Sequence, residues 1–198
     1  KAFQRSGWWA EPGDTDKSKG DERAKRLTSI EDFFRKAAAY AKVSTHAETD
    51  LRMEAMSGLF TGTKTLFINA DGAQDIQESV LFASAMGVKR TVIVGGYDAW
   101  RLPDLLREKK VDVILRRVHG LPMRDDDDVD LPYRLPTLLK AKGIRFCLGY
   151  TGDMERMGSR NLAFLAGTAS AYGLSKEDAL QAITLDAARV LGIDQKYG

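Results

Sequence analysis

Cysteine is nearly missing from this sequence: there is one in 198 residues, so no internal disulfide can form and the fold must be held by packing. That residue, Cys147, stands in the apolar run Ile144 to Leu148 and reads as a buried strand thiol rather than a reactive one. An excess of charge of one sign is also lacking. Thirty Lys and Arg face 28 Asp and Glu, interleaved along the chain, for a net charge of +2. This excludes the basic surface expected of a nucleic-acid or anionic-membrane partner and leaves a small, roughly neutral substrate as the expectation. No apolar run approaches the roughly 20 residues needed to cross a bilayer, and the first residues do not form a signal peptide. The chain opens at Lys1 with neither a methionine nor a targeting segment, from which we expect that an N-terminal portion has been removed; nothing in it assigns a compartment.

What is present is a globular composition, 43% hydrophobic and 29% charged, enough for one real core. Residues 1–26 are rich in Gly, Asp, Lys and Ser and read as an irregular polar segment, a surface loop or ragged helix, with Trp8 and Trp9 as its only anchor. Thr28-Ser29-Ile30-Glu31 has capping-box spacing and precedes Phe33, Phe34, Ala37, Ala38 and Ala41, predicting a helix that starts there. A second helix over Leu51 to Met56 is expected to stop near Gly58. His46, between these two helices, reads as a solvated surface residue.

From residue 65 onward, apolar strands and helices alternate. Thr65 to Ile68, Arg90 to Val94, Val111 to Leu115 and Ile144 to Leu148 are four strands. The helices between and after them lie near Asp75 to Met86, around Leu102 to Leu106, at Pro132 to Lys142, at Asn161 to Tyr172, after the cap Ser175, and at Leu185 to Leu191. Continuously apolar strands separated by helices give a parallel sheet, hence an α/β class, either an open sheet or an arc of a barrel. A whole barrel is excluded, since eight units take roughly 250 residues.

In both arrangements chemistry gathers past the carboxyl ends of the strands. Those ends carry Asn69-Ala70-Asp71-Gly72, Gly95-Gly96, Arg116-Arg117-Val118-His119 and Thr151-Gly152-Asp153. His119 is the imidazole placed to polarise a substrate or donate a proton, with a loop histidine bonded to backbone as the structural alternative. Asn69 either keeps a site role or bonds the backbone at its strand end. The run Asp125 to Asp128 lacks the spacing of a calcium loop and reads as a solvated loop. Gly95-Gly96 ahead of a helix leaves an open α/β phosphate-binding domain as one alternative.

The stretch Phe67 to Ile76, reading Phe-Ile-Asn-Ala-Asp-Gly-Ala-Gln-Asp-Ile, resembles strand five of the imidazolonepropionase-like bacterial amidohydrolases. So do Leu121 to Asp128, Ser159 to Leu162, and the end of the chain from Gly173 to Ile193, so that the resemblance spans roughly Leu27 to Gly198. It implies that residues 27–198 are the C-terminal half of a TIM-like (β/α)8 barrel. The parent would be a hydrolase using a zinc-like divalent metal to cut a carbon–nitrogen bond that is not a peptide bond. By the resemblance Asp153 is metal ligand and general base, and Asn69 stands where the family has a metal-binding histidine. The first-strand histidine pair lies outside the chain, and Gly95-Gly96 replaces a further histidine. The isolated chain is therefore expected to be inactive and to self-associate through open barrel edges. A barrel that has lost hydrolysis and serves as a binding protein is the other alternative.

Overall fold

A computed structural model describes residues 16–43, 45–116, 118–150 and 155–198. The chain divides into two compact units, Lys1–Ser57 and Gly58–Gly198, with the boundary inside a helix. Trp8 and Trp9 lie outside the described residues.

In the first unit helix α1 covers Asp16–Tyr40, so it begins well before Thr28 and takes in residues 16–26 of the segment read as a surface loop or ragged helix. Thr28 does not cap: its Oγ1 donates to the Ala24 carbonyl one turn back, at 3.0 Å, and Glu31 pairs with Arg35 instead of reaching back. Phe34 and Ala37 are buried, as the apolar stripe requires. His46 is half-buried rather than solvated, its ring stacked on Tyr40 with centroids 3.6 Å apart. Helix α2 covers Leu51–Thr61 and is capped by Asp50, whose Oδ1 accepts from the Arg52 and Met53 N–H groups at 2.9 and 3.4 Å. It runs past Gly58, where a side chain would collide with Lys64 and Thr63; that glycine permits a close approach rather than ending the helix.

The second unit contains β1 (Leu66–Ala70), α3 (Ala73–Ala85), β2 (Thr91–Gly95), α4 (Pro103–Glu108), β3 (Asp112–Leu115), α5 (Leu131–Ala141), β4 (Phe146–Leu148), α6 (Glu155–Gly158), α7 (Leu162–Ala171), α8 (Lys176–Ile183) and α9 (Leu185–Leu191). The α/β reading holds: all three strand pairs are parallel, and the order is β1-β2-β3-β4. The order follows the chain without reversal, so among the described residues there is no switch point of the kind that opens a phosphate crevice in a doubly wound sheet. Ser175 caps α8 as expected, its Oγ accepting from the Asp178 N–H at 3.0 Å.

Alternation along the strands sorts the side chains onto two faces. Ile93, Val113, Leu115, Phe146 and Leu148 face the main core, built with Ile76 and Val80 of α3, Leu106 of α4, Leu135 and Leu139 of α5 and Leu165 of α7. Burying each such side chain contributes about 1.5–3 kcal/mol. On the other face Val92 and Cys147 pack with Val190, beside Ile114 and Ala187, so α9 covers that face over β3 and β4. Arg90 fixes α9 there by donating to the carbonyls of Arg189 and Val190 at 2.5 and 2.9 Å. Cys147 is buried, and burial pushes its thiol up to about 12, which makes it inert as expected. Over β1 the described residues of this unit leave the second face uncovered. Phe67, paired in register with Val92, is 44% exposed.

Candidate active site at the strand ends

Asn69 lies two residues beyond Phe67 and shares its open face. Its Oδ1 accepts a hydrogen bond from Arg116 Nη2 at 3.1 Å, and Arg116 Nη1 stands 3.6 Å from Asp71 Oδ2. Arg116 follows β3, so its guanidinium reaches across the end of β2 to join groups delivered by β1. Its Nε is buried without a partner among the described residues. Two glycines at the end of β2 are tightly packed. A methyl on Gly95 (φ +116) would strike the Asp71 carboxylate and lie 2.9 Å from the Ala70 carbonyl oxygen, and one on Gly96 (φ +73) would come within 2.5 Å of Val113 Cγ1. Close packing thus accounts for the glycine pair, and the next helix, α4, has only six residues.

A second cluster sits beside the first. Asp98, just past β2, is 2% exposed and accepts from the Ala73 N–H at 3.1 Å and from Arg124 through both carboxylate oxygens. Arg124 also holds Asp127 at 3.2 Å, and Tyr97 Oη donates to Asp127 Oδ2 at 2.9 Å while accepting from the Met123 N–H at 3.1 Å. The hydrogen bond to Asp98 raises the Arg124 pKa. Burial works against the Asp127 carboxylate, but the Tyr97 hydroxyl and Arg124 outweigh it and hold its pKa below the ordinary value. The acidic run is therefore not wholly solvated: the Asp127 side chain is only 5% exposed and pins the loop, while Asp125, Asp126 and Asp128 face water. Sequence reasoning missed this network, whose one visible sign was a lone aspartate directly after a buried strand.

His119 is exposed and turned toward α7 and α5: its Nε2 lies 2.5 Å from Thr168 Oγ1 and its ring 6.2 Å from that of Tyr133. Its partner is a side chain, not the backbone. The structure thus joins Asn69 to Arg116 and Asp71 and gives His119 separate partners. Asp153 lies outside the described residues.

No family model matches this sequence, and no curated protein matches it. Among solved structures, one from Thermotoga maritima MSB8 matches with a TM-score of 0.74 and 26% sequence identity, covering 86% of this chain. That neighbour is an amidohydrolase. This chain spans 46% of its length. The similarity supports the resemblance read from the sequence at the amidohydrolase level.

The described strand ends do not fit the zinc-like ion that the resemblance implies. Asn69 offers a neutral amide oxygen already occupied by a guanidinium, which repels a divalent cation placed on the same atom. Among the described residues no group of three or more His, Cys, Asp or Glu side chains is arranged to hold a metal.

Proposed function

We propose that this chain is the C-terminal half of an amidohydrolase (β/α)8 barrel of the imidazolonepropionase-like kind, from a parent that hydrolyses a non-peptide carbon–nitrogen bond in a small molecule. The observation that carries this reading is the parallel sheet in strict chain order, with polar groups at its carboxyl ends, together with a match to about half of an amidohydrolase. Alone, the chain has no hydrolytic activity. A metal in the parent rests on groups beyond those described, with Asp153 as its ligand from this half.

One observation favours a second reading, a barrel that has lost hydrolysis and only binds its ligand: the Arg116–Asn69 hydrogen bond. Arg116 offers donors and Asp71 an acceptor side by side, a pattern that complements an amide or ureide group without any metal. Elemental analysis of the full-length protein, alongside Asp153→Ala, separates the two. Stoichiometric metal that falls in the variant supports the hydrolase; no metal in either protein supports binding alone.

A further inference from the structure

At the opposite end of the sheet from Asn69, where β3 and β4 begin, a cavity of about 260 Å³ is lined by Leu106, Arg107, Lys110, Asp112, Ile144 and Arg145, with Val111 and Gly143. Its charges are three cations and one carboxylate. Asp112 is buried and binds Arg145 at two points, to Nε at 2.7 Å and to Nη2 at 3.0 Å, which fixes the guanidinium at the rim and leaves Nη1 out of the pair. Among the described residues the one ion pair of Arg107 is with the exposed Asp104, a pair that water screens. Lys110 has no ionic partner among the described residues.

The backbone at Lys110 is the unusual feature. Helices α3, α4, α5 and α7 end in the same turn, in which an N–H donates to the carbonyl five residues back: Val88 to Ala83 at 3.0 Å, Val111 to Leu106 at 2.9 Å, Ile144 to Leu139 at 3.0 Å and Leu174 to Ala169 at 3.0 Å. The residue before each donor must be left-handed. Three are glycines, Gly87, Gly143 and Gly173, at φ +78, +67 and +106. The fourth is Lys110 at φ +52, the one non-glycine residue with positive φ among those described. Glycine is free to adopt this conformation, whereas a residue with a side chain is strained there. Lysine stands where the turn favours glycine, and its side chain lines the cavity.

We propose that Lys110, Arg107 and Arg145 bind a small oxyanion, a phosphate or carboxylate head on a short carbon body that rests against Leu106, Val111 and Ile144. The cavity is smaller than the roughly 300–1,000 Å³ of pockets for larger ligands, which limits the body to a few carbons. This site does not depend on the reading of the strand ends.

Thermal melts of the full-length protein in rising inorganic phosphate, with acetate as the carboxylate arm and chloride at matched ionic strength, test the proposal. The expected result is a saturable rise in midpoint with phosphate or acetate beyond that with chloride, the stronger of the two identifying the head group. Lys110→Gly should melt about 2–4 °C higher without anion, as the strain is relieved, yet bind the anion at least ~tenfold more weakly. Arg107→Gln should weaken binding by at least a few-fold and serves if the first variant does not fold. The proposal is overturned if Lys110→Gly, or Arg107→Gln in its place, keeps the wild-type anion dependence, or if phosphate and acetate do no more than chloride.

Discussion

Two arginines past the strand ends, Arg124 and Arg116, carry the same charge into neighbouring loops and do different things. Arg124 is spent on carboxylates 2% and 5% exposed, and so serves to hold the loop between β3 and α5 against Asp98. Arg116 is 41% exposed, bonded to a neutral amide and 3.6 Å from a carboxylate itself 36% exposed, with one N–H unpaired. The first bridges two buried carboxylates, whereas the second keeps a partly exposed guanidinium whose partners are an amide and a half-exposed carboxylate at the same end of the sheet.

The comparison can be broken at several points. Asp98→Ala strips Arg124 of its main partner and should cost about 2–3 kcal/mol in denaturant unfolding, as expected when charge-assisted hydrogen bonds to a buried carboxylate are lost. A loss below about 1 kcal/mol would place Arg124 with Arg116. Gly96→Ala should cost about 2 kcal/mol or more, because it combines a left-handed backbone with a methyl 2.5 Å from Val113 Cγ1; a neutral result would mean that the packing of Gly96 on Val113 is not tight. Asp127 titrates in the folded protein below the 3.8 of an ordinary carboxylate. Its contribution is therefore complete above that value and is lost as the pH falls through the lower folded one. Unfolding followed across this acid range should be steeper in the wild type than in Asp127→Asn, and equal slopes would contradict the assignment. Arg116→Ala, the smallest effect, should change stability by less than about 1 kcal/mol, as for an exposed pair, while abolishing binding of an amide or ureide ligand to the full-length protein. A large loss of stability there would make Arg116 structural.

The sequence resolved the repeating architecture because period and punctuation agreed. The last helix, Leu185–Leu191, and the cap at Ser175 were legible to the residue, and the strands to within about two. The departures have local causes. Thr28 and Glu31 have cap spacing, but both side chains found partners within a helix already under way. Gly58 has the composition of a helix stop, yet it answers to Lys64 packed against it. The networks of Arg116 and Arg124 join residues tens of positions apart, and no spacing rule reads such pairs from one sequence. Asn69 was legible as a strand-end polar group; that a guanidinium would occupy its oxygen was not.

The half-barrel account rests on a sheet in which, among the described residues, the face over β1 is uncovered, Phe67 is exposed and β1 and β4 are edges. Light scattering on the chain alone, combined with a thermal melt, tests this most directly. The account predicts self-association, with a mass above that of one copy and a transition that depends on concentration. A monodisperse monomer that melts in one cooperative, concentration-independent step would contradict it.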